Sequence, residues 1–199
     1  MNRTILPTIL SALLLTSVAQ ADESLAQQID AVAPIVNAGD LDDLGGPSTA
    51  AELLQDIDGR WFTLANTVRN WGRDGDDTRA TLERAIERLC SDEWENLVTY
   101  QALGVDRFRI EQVSPTGEDQ GTFEMVSTDP ATRVFSTIVD EDYLLAISGL
   151  TEAEPAQQKE LLDDFKAVAE QGVEVWRPGP DLWVNRNAAE IEVWGRCPR

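Results

Sequence analysis

From Glu95 onward the apolar residues recur at every second position, in short segments separated by turn-forming residues. Candidate strands are 96–103, 107–113, 122–126, 133–139 and 143–147. In the second of these, Phe108 and Ile110 face one way while Arg107, Arg109 and Glu111 face the other, as in a strand with one wet face. Ser114-Pro115-Thr116-Gly117 reads as a turn, and Asp129-Pro130 and Asp140-Glu141-Asp142 mark the next connections. Three further strands fit 173–177, 182–186 and 190–194, with turns at Pro178-Gly179-Pro180-Asp181 and at Asn187. Short strands joined by short turns pair with their neighbours in sequence, which predicts an antiparallel meander.

Upstream of Glu95 the period is helical. Leu25, Ile29 and Val32 fall at i, i+4 and i+7, a pattern that Pro34 is expected to disturb. The acidic, glycine-rich stretch 37–47 reads as a loop. Thr49 and Glu52 form a capping box ahead of Leu53, Leu54 and Ile57. A helix is predicted over 78–90, where Leu82, Ile86, Leu89 and Cys90 share a face and Asp76 and Asp77 suit the positive N-terminus. One late helix is predicted between the two groups of strands. Thr151 and Glu154 make its capping box, Leu161, Leu162, Phe165, Val168 and Ala169 line one side, and Gly172 stops it.

The first 21 residues differ in character. A basic start at Arg3, an apolar run over 5–18 and the small-x-small ending Ala19-Gln20-Ala21 mark a secretory signal peptide, with cleavage between Ala21 and Asp22. The run is shorter than the roughly 20 residues of a bilayer span, and no later run is long enough, so no membrane span is expected after cleavage. The address implied is periplasmic or secreted. There, Cys90 and Cys197, the only two cysteines, are expected to pair and to close a loop of about 100 residues.

The chain carries 36 acidic and 16 basic side chains, a formal charge of −20, and the signal takes away only Arg3. Such a surface repels phosphate backbones and anionic headgroups, which argues against nucleic-acid binding. There is no histidine. That removes Ser-His-Asp and Cys-His nucleophiles, histidine general bases and histidine zinc sites. Asp74, Asp76 and Thr78 alternate like the start of a calcium loop, but Arg79 stands where glycine is needed and Ala85 where the closing Glu should be. Asp40 and Asp42 begin a similar run that Leu44 breaks. No metal and no cofactor is expected. Hydrolysis by a carboxylate pair stays open because acids abound, although spacing selects no pair.

Aromatic residues are the more pointed feature. Trp176, Trp183 and Trp194 fall in the last three candidate strands, with Tyr100, Phe108, Phe123 and Tyr143 in earlier ones. Aromatics in strands usually pack in cores, and a subset facing a cavity would line an apolar ligand pocket.

Three fragments, in order, resemble the lipocalins. Gly59-Arg60-Trp61, after a helix, resembles the Gly-x-Trp signature that opens the first strand of that barrel. Asp142-Tyr143, read as a turn between strands, resembles the second motif. An Arg late in the chain that packs across the Trp is the third, and Arg177 or Arg196 matches it. A disulfide anchoring the C-terminal segment is also common in that family. The chain departs from the pattern in two places: about 30 residues with a helix separate Trp61 from the next strand, and the late helix precedes three strands instead of one. The resemblance implies a closed antiparallel barrel of eight to ten strands whose mouth holds a small apolar ligand.

The fold expected is therefore mainly antiparallel β with α additions. It is a closed or strongly curved meander barrel with N-terminal helices and one late helix, the alternative being an α+β open antiparallel sheet packed on helices. Residues 1–21 form the signal, 22–58 a helical and loop segment, partly mobile, and 59–199 a single β-rich domain. The function expected is non-catalytic binding of a small apolar ligand by Trp61, Tyr100, Phe108, Tyr143, Trp176 and Trp183. The alternatives are an envelope interaction module, such as an inhibitor or assembly factor, and a carboxylate-pair hydrolase.

Overall fold

The computed structural model describes residues 24–73, 77–91, 97–113, 119–138, 140–187 and 190–198. The signal with its Ala21–Asp22 junction, the acids Asp74 and Asp76, and the 114–117 turn lie outside the described residues.

Eight strands form: β1 Gly59–Thr63, β2 Leu97–Ala102, β3 Arg107–Val113, β4 Asp119–Val126, β5 Val134–Ile138, β6 Val173–Gly179, β7 Leu182–Arg186 and β8 Ile191–Arg196. Each is antiparallel to the one before it, and β8 returns to pair with β1 through Trp61↔Arg196 and Thr63↔Trp194. The meander is thus a closed barrel, and the open-sheet alternative falls. Closure also removes the free edges at which an open sheet would pair with other chains.

The period-two alternation sorts the apolar side chains into two cores. Trp61, Val98, Tyr100, Phe108, Met125, Phe135, Val175 and Trp183 point into the barrel. Their neighbours Phe62, Trp176, Leu182, Val184 and Val193 point out, under a layer of helices. That layer comprises α1 Leu25–Ala38, a 3-10 turn at Leu41–Leu44, α3 Ala65–Asn70 and α4 Thr78–Leu89. It covers β6, β7, β8 and β1 with Ile29, Val32, Leu41, Val68 and Leu82. Strands covered on both faces by apolar layers explain why 182–184 reads Leu-Trp-Val without a polar break.

One end of the barrel is stoppered. α2 Ala50–Leu53, opened by the expected Thr49–Glu52 capping box, delivers Ala50, Leu53, Leu54 and Ile57 into the inner core. β1 and β2 are neighbours even though α3 and α4 lie between them in sequence. Those two helices lie outside the barrel, where α4 ends at Cys90 and the Cys90–Cys197 disulfide fastens it to the segment after β8. The Arg60 guanidinium also donates to the Cys90 carbonyl, and the Cys197 N–H donates to the Arg60 carbonyl at 2.8 Å.

Three sequence expectations are corrected. α1 runs through Pro34 to Ala38. A proline there forfeits one backbone bond and crowds the preceding turn, but Ile29, Val32 and Ala33 are buried, and Gly39, left-handed at φ 81°, closes the helix. The expected strand 143–147 is a helix, α5 Glu141–Ile147. Asp140 is its N-cap, accepting from the Tyr143 N–H at 2.9 Å, and Glu141 and Asp142 favour the first turn. Asp142-Tyr143 therefore lies in a helix and not in a turn between strands. The late helix, α6 Pro155–Gln171, starts after Glu154, not at Thr151. Pro155 supplies a preset φ at the first turn, while Gln158 donates to the Leu150 and Thr151 carbonyls at 3.0 and 2.9 Å.

Candidate functional site

The interior at the stoppered end is filled by rings. Trp61 stacks on Tyr100 with centroids 5.3 Å apart, and Trp183 meets Tyr100 and Phe108 edge-on at 5.7 and 5.3 Å. The Trp61 indole N–H donates to the Ile57 carbonyl at 3.0 Å, locking the ring against the stopper. Arg196 crosses the Trp61 face at 5.5 Å and donates to the Asp181 carboxylate and the Pro180 carbonyl, both at 2.8 Å. Gly59, at φ 144°, leaves room for this crossing, since a Cβ there would lie 3.3 Å from the Arg196 Cδ. Arg177 instead donates to the carbonyls of Leu53, Gln55, Asp56 and Pro180, tying α2 and its exit loop to the barrel rim.

Towards the opposite end the rings give out and a cavity of about 210 Å³ remains. Its floor is Tyr100, Phe108 and Trp183, and its apolar walls include Ile110, Phe123, Met125 and Val175. The remaining wall is polar and comes from β7 and β8, where Asn185 and Glu192 are directly paired across the strands. Asn185 Nδ2 donates to Glu192 at 2.8 Å. Its Oδ1 and the Trp194 Nε1 are buried with no hydrogen-bond partner. Glu192 is the one charged side chain among the described residues lining the cavity. Tyr100 is fully enclosed, and its phenol is pushed far above the ordinary tyrosine range, first by burial and then by the negative charge of Glu192.

The cavity adjoins a groove of about 380 Å³ on the outer surface, beneath α6, with Thr137, Val173 and Asn187 lining both. These residues flank the shortest pairing in the barrel. β5 and β6 pair through Val134↔Glu174 and Phe135↔Val173, and the Val175 N–H donates to the Arg133 carbonyl just before β5 at 3.0 Å.

Of the six aromatic residues expected to bind ligand, Trp61, Tyr100, Phe108 and Trp183 come together inside the barrel. Tyr100, Phe108 and Trp183 reach the cavity, whereas Trp61 lies in the filled part. Tyr143 sits on α5 at the rim, its ring edge-on to the cavity-lining Phe123 and its hydroxyl close over Gly121. Trp176 faces outward, buried beneath the helical layer with the guanidinium groups of Arg133 and Arg186 on its ring at 4.4 and 5.2 Å. The polar wall, Asn185, Glu192 and Trp194, was not among the expected site residues. Its signal is present in the alternation: Asn185 and Glu192 are each two positions from an inward tryptophan.

Compared with known proteins, the chain matches no family model, no curated protein and no solved structure.

Proposed function

We propose that this is an exported, non-catalytic binding protein of lipocalin type that takes a small, largely apolar ligand into the barrel. The observation that carries the reading is the cavity itself, a hollow of about 210 Å³ floored by Tyr100, Phe108 and Trp183. Its size falls below the roughly 300–1,000 Å³ usual for drug-sized ligands, so the ligand is smaller than a fatty acid or a retinoid. Two of the three lipocalin-like fragments support the family reading: Gly59-Arg60-Trp61 opens β1, and Arg196 lies across Trp61. The third does not, because Asp142-Tyr143 lies in α5. Export is supported by the character of residues 1–21 and by the disulfide, which suits an oxidising compartment. Among the described residues no helix is long and apolar enough to cross a membrane.

The test is intrinsic fluorescence, titrated with small aromatic alcohols and hydrocarbons. Saturable quenching by ligands the size of 2-phenylethanol is expected, and a variant that fills the cavity, Val175→Phe, loses it. Linear, non-saturating quenching across the series would sink the reading.

A second reading, an envelope interaction module, draws on the exposed apolar side chains Ile138, Ile147 and Val168 around α5 and α6. They are 51, 54 and 60 % exposed.

A further inference from the structure

Resting on the binding reading above, we propose that the cavity selects a small protonated amine, whose ammonium is held between the Glu192 carboxylate and the Asn185 side-chain carbonyl. The argument starts from what the polar wall can accept and donate. Glu192 receives one hydrogen bond, from Asn185 Nδ2 at 2.8 Å, and a carboxylate has room for about three more. That same bond turns the Asn185 amide so that Oδ1 is left as a second acceptor, buried and unpartnered. Two acceptors on directly paired residues of β7 and β8 suit an ammonium, which carries up to three donors and no acceptor.

The charge balance of the lining points the same way, although the unpartnered Trp194 N–H is a donor that an ammonium does not satisfy. No Lys or Arg lines the cavity among the described residues, so an anionic head would meet Glu192 with no counter-charge in a partly desolvated site. Tyr100, Trp183 and Trp194 are also in the lining, and aromatic rings with their negative centres favour a cation over an anion. The molecule as a whole, at −20, draws cations towards the barrel. The volume limits the ligand to roughly ten non-hydrogen atoms, such as a phenyl ring on a two-carbon amine. The ring would lie among Phe108, Ile110 and Phe123 on the apolar side. This is not the head group expected of a fatty-acid carrier.

Calorimetric titration of the protein with three matched ligands tests the proposal: 2-phenylethylamine, 2-phenylethanol and 3-phenylpropionate. It is run in about 0.5 M NaCl so that attraction to the outer surface is screened. The amine is expected to bind about tenfold or more tighter than the alcohol, and the carboxylate weakest. Glu192→Gln is expected to bring the amine down to about the affinity the same variant shows for the alcohol, and an unchanged urea midpoint reports independently that the variant is folded. If the alcohol or the carboxylate binds as tightly as the amine, the selectivity is overturned while the binding reading stands. An amine preference over the alcohol that survives in the folded Glu192→Gln variant overturns the role of Glu192. If none of the three binds, the binding reading itself fails and the selectivity falls with it.

Discussion

Arg196 and Trp61 show how much of this fold is set by single residues. The Arg196 side chain is 5 % exposed and donates to Asp181, Pro180 and Asp56, while its guanidinium covers an indole that is itself fully buried. Arg196→Met keeps the length of the side chain but removes the guanidinium from the Asp181 carboxylate and leaves the Pro180 and Asp56 carbonyls with Arg177 alone as side-chain donor. Asp181 is a third exposed and regains water, so a loss of about 2–4 kcal/mol is expected instead of the full cost of a broken buried pair. The control is Arg186→Met, on a side chain 44 % exposed, where less than about 1 kcal/mol is expected. Urea denaturation of both variants measures the difference, and equal losses would contradict the role given to Arg196. The choice between Arg177 and Arg196 was not legible in the sequence, because both lie late in the chain and both follow tryptophan closely. Strand register decides it: Arg196 pairs directly with Trp61, whereas Arg177 sits past the last regular pair of β6 and reaches α2 instead.

Among the elements, the strands were the most legible, and for a physical reason. β3 alternates from Arg107 to Glu111 and β7 opens on a short apolar run, and each is bounded by turn residues, so their limits follow from pattern alone. The stretch 143–147 carries too few residues for a period to decide between strand and helix. There the caps decide, and Asp140 with Glu141 and Asp142 starts a helix. Pro34 misled in the opposite direction, since tertiary burial of Ile29, Val32 and Ala33 outweighs one lost backbone bond. The helices also differ in how firmly they are held. α1 buries four residues, whereas α6, the longest helix, buries none fully and leaves Val168 60 % exposed. Local opening is set by the apolar surface a segment keeps from water. Native-state hydrogen exchange is therefore expected to release the α6 amides well before those of β7 and β8, and equal protection would contradict this. Opening of α6 would also uncover the groove that shares Thr137, Val173 and Asn187 with the cavity.

At the scale of the whole molecule, the barrel divides its interior between two tasks. The end near α2 is packed solid by Trp61, Tyr100, Phe108 and Trp183, and these contacts hold the fold. The other end stays hollow and keeps a carboxylate, an amide oxygen and an indole N–H facing inward. Buried polar groups without partners are costly to a fold and are retained where something else satisfies them. The aromatic content pointed to a barrel interior but could not separate filler from cavity wall, because alternation fixes which face a residue takes and not its depth. It likewise could not anticipate that Trp176 serves the outer core. The six tryptophans turn this division into something observable, since each contributes one indole N–H resonance. The decisive measurement is a nitrogen–proton correlation spectrum of the indole groups during titration with 2-phenylethanol. The account predicts that the Trp194 resonance moves most, with Trp183 following, while those of Trp71 and Trp176 stay fixed. Movement confined to Trp71 or Trp176, or no saturable movement at all, would contradict a ligand site inside the barrel.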